Sequence, residues 1–148
     1  MFVYQDIQGI VIADWVLSGQ TVNQYYLEVL TKLRERVRMK LPELWRNCWI
    51  LHQDTVPAHK ALSVKQFLVN NNTTVLEHPP YLPDLAPCDL YLFPKIKSAI
   101  KGTHFLPVED VKAKTTEILN SLSKNDLQDY FERWHHRMQL CVRRRELF

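Results

Sequence analysis

The stretch Cys48-Trp49-Ile50-Leu51-His52-Gln53-Asp54 joins a run of aromatic and aliphatic residues to an acidic residue. Its aromatic and aliphatic residues predict a strand over 47–54 that is buried on both faces and ends in a carboxylate. Open sheets bind ligands at the carboxyl ends of their strands. We therefore expect Asp54 to lie at the functional edge of a sheet.

A second carboxylate, Asp89, follows a stretch that two prolines stiffen. Pro83 and Pro87 restrict the backbone before it, and the apolar spacing after it indicates that a helix begins there. A helix start favours an ionised carboxylate. Positions 55–88, which are 34 residues, separate Asp54 from Asp89. We expect the two side chains to meet in space.

Composition limits the class of protein. The chain has 148 residues, of which 46% are hydrophobic, and this suffices for one domain with a buried core. The net charge of +3 permits binding to a polyanion without requiring it. Three cysteines without close spacing favour a reducing, intracellular setting over a disulfide framework. No signal peptide pattern or run of 18 apolar residues occurs, so we expect neither secretion nor membrane insertion.

Periodicity predicts the elements of a single domain over 1–148. They are a hairpin over 1–17, a helix over 21–41, a central strand over 47–54, mixed blocks over 58–101 and helices over 107–142. Gly9 is expected to supply a positive φ in the hairpin turn. Pro94 is expected to restart or kink the helix after Asp89, and Gly102 to end it.

Apolar stripes mark the predicted helical core. One runs along the first long helix and includes Val22, Tyr26 and Val37, and another runs along the last helix and includes Leu127 and Tyr130. The run 123–126, Ser-Lys-Asn-Asp, is predicted to cap this last helix.

Two blocks resemble the second and third catalytic blocks of mariner-type transposases. They are residues 51–59, LHQDTVPAH, and residues 78–93, HPPYLPDLAPCDLYLF. Residues 9–11 and 18–23 also resemble this family, so the likeness covers nearly the whole chain. It implies an α/β fold, with an RNase H-like mixed sheet flanked by helices. It also implies descent from an enzyme for metal-dependent DNA strand cleavage and strand transfer in DNA transposition.

The resemblance assigns Asp54 and Asp89 as the last two members of an Asp, Asp, Asp triad. Both are therefore expected to be catalytic and to bind Mg²⁺ or Mn²⁺. In the family the first aspartate lies on a strand upstream of the hairpin that begins here at about Phe2. We expect a domain without that strand and without the upstream DNA-binding region, with weak metal binding and impaired activity. Asp6 is interpreted as a turn residue and not as a substitute ligand.

Several neighbouring residues qualify this prediction. The family carries asparagine at the position of Thr55 and serine at that of Leu82, and both departures are expected to loosen the surroundings of the metal site. Asp84 is interpreted as a turn carboxylate. His52 and His59 have no cysteine pair to complete a zinc site, so we interpret them as buried or hydrogen-bonded histidines.

DNA is the expected partner. Lys95, Lys97 and Lys101 follow Asp89 on the same predicted helix, and Arg143 and Arg144 lie in a basic tail over 143–145; all five are candidate phosphate contacts. The basic residues of the first long helix are interpreted as a solvated face.

Further expectations concern assembly and location. Unpaired strand edges predict marginal stability or association with a second copy or a full-length transposase as a dimer. We expect no membrane and no small-molecule substrate, and an intracellular, nuclear location. The alternative function is a non-catalytic, domesticated remnant that acts as a DNA- or protein-interaction module.

Overall fold

The computed structural model describes residues 1–54, 56–102 and 107–144, without the side chain of Pro83. In chain order its regular elements are β1 (Phe2–Asp6), β2 (Gly9–Asp14), α1 (Val22–Lys40), α2 (Pro42–Arg46), β3 (Ile50–Gln53), α3 (Leu62–Asn70), β4 (Thr74–Glu77), α4 (Phe93–Ile100), α5 (Val108–Ser121) and α6 (Lys124–Arg144). Short 3₁₀ turns cover Pro57–Lys60 and Pro83–Leu85, and a π-helical turn covers Cys88–Leu92.

The chain divides into two compact units. The first comprises residues 1–6 and 10–80, and the second comprises residues 7–9 and the described part of 81–148. The single-domain interpretation of residues 1–148 stays a prediction.

Two small sheets organise the strands. β1 pairs with β2, and β3 pairs with β4 in parallel, from Ile50 opposite Thr74 to Gln53 opposite Glu77. The backbone N–H of His78 extends this pairing by donating to the carbonyl of Gln53 at 3.2 Å. Because the carboxyl ends of parallel strands share one edge, Asp54 lies at that edge, as the sequence predicts.

The core of the first unit joins α1 to β2, β3 and α3. Its buried residues are Val11, Tyr26, Leu30, Leu33, Val37, Leu51, Val64 and Leu68. The predicted stripe on α1 is confirmed from Tyr26 to Val37, whereas Val22 in the first turn is exposed. Burial of this stripe against the strands stabilises the unit, since each fully buried aliphatic side chain contributes about 1.5–3 kcal/mol.

In the second unit the π-helical turn leads directly into α4. Pro94 occupies the first turn of α4, where its missing N–H costs nothing, and Gly102 beyond the helix has a φ of 92°. Both predictions about these residues are confirmed. The buried residues of the unit include Leu92, Leu119, Leu127 and Tyr130, so the predicted stripe on α6 is also confirmed at Leu127 and Tyr130.

Two details of the predicted strands are wrong. Gly9 begins β2 and has no positive φ; among the described glycines, only Gly19 and Gly102 do. The central strand starts at Ile50 because Cys48 has a φ of 55°, outside the extended region. It is also not buried on both faces: Ile50 is 63% exposed and Leu51 is 4% exposed, since successive side chains point to opposite faces.

Candidate active site

Asp54 directly follows β3 and is held through one of its two carboxylate oxygens. Its Oδ1 lies 2.7 Å from Nδ1 of His59 and accepts a 3.3 Å hydrogen bond from the backbone N–H of Val56. Nδ1 of His59 also lies 3.1 Å from the carbonyl oxygen of Asp54. Because both neighbours of Nδ1 are acceptors, this nitrogen carries the proton.

The contact with His59 keeps the Asp54 carboxylate ionised. The hydrogen bond from His59 lowers the pKa of Asp54 below its ordinary value; partial burial opposes this effect, and the Val56 N–H supports it. The side chain is 53% exposed. Its Oδ2 has no hydrogen-bond partner within the part of the chain that the structure describes. Asp54 therefore presents a charged, accessible oxygen at the edge of the sheet.

Tyr26 of α1 packs against the ring of His59. Its fully buried ring stacks on the His59 ring, with centroids 4.3 Å apart. Its hydroxyl donates to Oε1 of Gln53 at 2.8 Å and accepts from the Tyr4 hydroxyl at 2.8 Å. Burial raises the pKa of Tyr26 to about 12, so the hydroxyl remains a proton donor at neutral pH.

His52 and His78 lie beside each other near the ends of β3 and β4. Their ring centroids are 5.5 Å apart. Burial is the main cause that lowers the pKa of His52, the charge of His78 adds to it, and Asp54 opposes it. His52 is half-buried and His78 is buried.

The side chains around Asp54 suit Mg²⁺ better than a metal that needs three or more protein ligands. Within residues 1–54, 56–102 and 107–144, no three His, Cys, Asp or Glu side chains are grouped so that they could hold an ion. Mg²⁺ needs no such group, because it is bound through one or two carboxylates together with water and substrate phosphates. An ionised, half-exposed carboxylate such as Asp54 fits that requirement.

Asp89 belongs to the second unit and lies in the first turn of the π-helical segment, where its side chain is exposed. The neighbouring aromatic side chains fix this segment. Tyr91 stacks on Tyr130 of α6 at 5.1 Å, and Trp134 donates from Nε1 to the carbonyl of Leu85 at 2.7 Å. Burial raises the pKa of Tyr130, and the charges of Cys88 and Asp89 add to this effect.

The predicted DNA-contacting residues differ in their surroundings. Lys95 donates to the Tyr91 hydroxyl at 3.0 Å, and this bond is the main cause that raises its pKa. It therefore contacts its own unit, whereas Lys97 and Lys101 are exposed. Arg143 and Arg144, which end α6, are also exposed; Arg145, of the same predicted tail, lies outside the described residues.

Asp84 lies in the Pro83–Leu85 turn, 3.9 Å from Arg137, in agreement with its interpretation as a turn carboxylate. On α1, Lys32 pairs with Asp14 at 2.7 Å. Thr55 lies outside the described residues.

Sequence reasoning missed how His59 and Tyr26 are joined to Asp54. The stripe on α1 assigned Tyr26 to the core, which is correct, but periodicity does not report hydrogen bonds. The available signal was the short separation of Asp54 and His59 within one block.

Comparisons with known proteins agree with the fold and the two blocks. No family model matches the sequence. Mariner Mos1 transposase of Drosophila mauritiana is 34% identical over 113 residues, which cover 74% of this chain and 33% of that protein. The human histone-lysine N-methyltransferase SETMAR is 26% identical over 136 residues, which cover 90% of this chain and 20% of that protein. The chain thus spans a third or less of these relatives.

Solved structures of Mos1 transposase are also similar. Its catalytic domain with Raltegravir and Mn matches with a TM-score of 0.87 and 28% identity, over 99% of this chain and 74% of that one. The same domain with Raltegravir and Mg matches with a TM-score of 0.86. A paired-end complex with the left transposon end matches with a TM-score of 0.84 and 28% identity, over 99% of this chain and 43% of that one.

The fold and the two blocks define an RNase H-like catalytic domain of the kind found in enzymes of DNA transposition. This chain belongs to the mariner-type transposases, and it covers 74% of a solved Mos1 catalytic domain. No helix among the described residues is long and apolar enough to span a membrane.

Proposed function

We propose that this chain acts in metal-dependent DNA strand cleavage and strand transfer, with Asp54 and Asp89 as catalytic residues and metal ligands. The observation that carries the proposal is the Asp54 carboxylate: it is ionised, anchored through Oδ1, and open at Oδ2 at the carboxyl edge of parallel strands. The similarity to Mos1 catalytic domains supports the same reaction class.

The proposed cofactor is Mg²⁺ or Mn²⁺. Similar domains of Mos1 transposase are known with Mn and with Mg, and the hard oxygen of Asp54 suits either ion. A bound ion would activate the attacking oxygen and stabilise the leaving oxygen of a phosphodiester. The task of Asp54 and Asp89 is to supply fixed negative charge for binding that ion.

The proposed partner is DNA, which the similarity to a Mos1 complex with a transposon end supports. Lys97 and Lys101 are exposed on the helical segment that follows Asp89, and Arg143 and Arg144 are exposed at the end of α6. Such cations bind phosphates without reading sequence. Lys95 is bound to Tyr91, so we assign it to holding its helix in place.

A nicking assay tests the catalytic assignment. The purified chain is incubated with supercoiled plasmid and Mn²⁺ or Mg²⁺, beside Asp54→Asn, Asp89→Asn and the matched control Asp84→Asn. We expect slow, metal-dependent nicking by the wild type and by Asp84→Asn, and its loss in the other two variants. Equal nicking by all four proteins would refute the assignment.

The same assay addresses the alternative function. A wild-type chain that binds DNA and yet gives no nicks above the metal-free background would support the interaction module in place of the enzyme. Mobility shifts with the same plasmid, cut to linear fragments, measure the DNA binding independently of cleavage.

Self-association and a nuclear location are further proposals. Ile50 of β3 and Leu76 of β4 are large exposed apolar residues on a sheet of two strands, and unpaired strand edges favour pairing with another chain. Sedimentation velocity at rising protein concentration should show dimers, and fewer of them for Ile50→Lys. A monomer at every concentration would contradict self-association.

The nuclear location follows from chromosomal DNA as the proposed substrate.

A further inference from the structure

His59 of the 3₁₀ turn and Tyr26 of α1 together form a support for the Asp54 carboxylate. We infer that His59 and Tyr26 are positioning residues, which hold Asp54 through Oδ1 so that Oδ2 is directed to the metal ion. This inference rests on the proposed function, because it assigns a role relative to a metal that Asp54 binds.

His59 fixes Asp54 at two points. Its Nδ1 lies 2.7 Å from the carboxylate Oδ1 and 3.1 Å from the main-chain oxygen of the same residue. The backbone of the 3₁₀ turn holds His59 in place, since its N–H donates to the carbonyl of Val56 at 2.9 Å. The Val56 N–H in turn donates to Oδ1. These contacts restrict both the backbone and the χ angles of Asp54 at the end of β3.

Tyr26 fixes the histidine ring. The His59 side chain is only 10% exposed, and its ring stacks on the Tyr26 ring at 4.3 Å. The Tyr26 hydroxyl is held between Tyr4 of β1 and Gln53 of β3, at 2.8 Å from each. Tyr26 is therefore held at its ring and at its hydroxyl, and the hydroxyl links α1 to Gln53, the residue that precedes Asp54.

The two carboxylate oxygens of Asp54 are consequently unequal. Oδ1 accepts from His59 and Val56, whereas Oδ2 accepts from no described residue. A carboxylate held through one oxygen loses less freedom when the other binds a cation, and this lowers the entropic cost of binding. Groups that orient a metal ligand in this way change metal affinity by about 10- to 100-fold when they are removed.

The test measures Mn²⁺ affinity, by electron paramagnetic resonance of free Mn²⁺, for the full chain and its variants. His59→Asn keeps an N–H donor at the distance of Nδ1 from the backbone, and His59→Gln moves that donor one bond further away. We expect His59→Gln and His59→Leu to weaken Mn²⁺ binding by about 10- to 100-fold. We expect the Mn²⁺ affinity of His59→Asn to stay within about threefold of the wild type. The affinity of Tyr26→Phe should lie between those of His59→Asn and His59→Gln.

Thermal melting of each variant confirms that it is folded, and the Asn and Gln variants keep the comparison decisive if His59→Leu does not fold. The Asp54→Asn variant tests the metal site separately from the positioning role of His59. If Asp54→Asn weakens Mn²⁺ binding while His59→Gln binds as tightly as His59→Asn, the positioning role is wrong and the metal site stands. If Asp54→Asn binds Mn²⁺ as the wild type does, the proposed metal site fails, and the positioning role fails with it.

Discussion

Asp14 ends β2 and binds Lys32 of α1 through a 2.7 Å ion pair. Burial raises the pKa of Asp14, but hydrogen bonds from Lys32 and Tyr25 outweigh this effect, so the pKa is lowered from its ordinary 3.8. A lowered folded-state pKa stabilises the protein above the unfolded-state value, and this stabilisation is lost as the pH falls through the folded-state pKa. We predict that Asp14→Asn lowers the urea midpoint at pH 7, and that this effect disappears at low pH, once the pH has fallen through the lowered folded-state pKa of Asp14.

The control for this pH dependence is Glu117→Gln, which removes an exposed carboxylate from α5. Its effect on the urea midpoint should be small at both pH values, since isolated surface charges contribute little. A deficit of Asp14→Asn that is as large at low pH as at pH 7 would show that the side chain acts through packing and not through its charge.

At the scale of residues, sequence could predict where Asp54 lies but not what holds it. The strand and the carboxylate that follows it are visible as a pattern of residue types. The contact of His59 with Oδ1, and the stacking of Tyr26 on His59, depend on the path of the chain through three elements. Local periodicity carries no such information.

Among the elements, α6 has the most explicit start signal. The Ser123 Oγ accepts from the Asp126 N–H at 3.1 Å, and Asp126 Oδ2 accepts from the Ser123 N–H at 3.1 Å. This reciprocal pair satisfies two backbone donors that the first turn leaves free. The cap predicted from the run 123–126 is therefore confirmed.

We predict that Ser123→Ala lowers the free energy of unfolding by about 1 kcal/mol, because the Asp126 N–H loses its acceptor. Ser123→Thr should retain most of the stability, since threonine also caps helices. Urea denaturation followed by circular dichroism measures both changes. An alanine variant as stable as the wild type would mean that water replaces the cap without loss.

Helix ends were more predictable than strand ends. Pro94 has no backbone N–H and lies in the first turn of α4, and Gly102 has a left-handed φ and follows that helix. Both effects are local, so the sequence predicts them. The start of β3 depends instead on the positive φ of Cys48, which is not glycine. The residue type does not indicate that conformation, so the predicted strand is too long at its start.

For the whole molecule, DNA affinity should depend on few exposed cations. We predict that Lys97→Ala with Lys101→Ala weakens binding uniformly across sequences and reduces the slope of log K against log salt by roughly 2, about one per phosphate contact. Fluorescence anisotropy with a labelled duplex at several salt concentrations measures this slope. Arg38→Ala is the control, because Arg38 pairs with Glu35 at 2.6 Å on α1. An unchanged slope in the double variant would contradict the assignment of these lysines.

The sequence predicts the fold class, but it does not predict how the strands pair or how the chain divides into units. The two blocks that resemble mariner-type transposases predict an RNase H-like fold, and the structural similarity confirms it. The pairing of β3 with β4 and the division into two compact units arise from contacts between distant parts of the chain. Patterns within short windows cannot supply such contacts.

The most direct test of the proposed metal ligands is an anomalous difference map from crystals of this chain soaked in Mn²⁺. We expect manganese in direct contact with a carboxylate oxygen of Asp54, and likewise of Asp89. At Asp54 the coordinating oxygen should be Oδ2. Manganese bound elsewhere, with no peak at either aspartate, would contradict the proposal that these two side chains bind the catalytic metal.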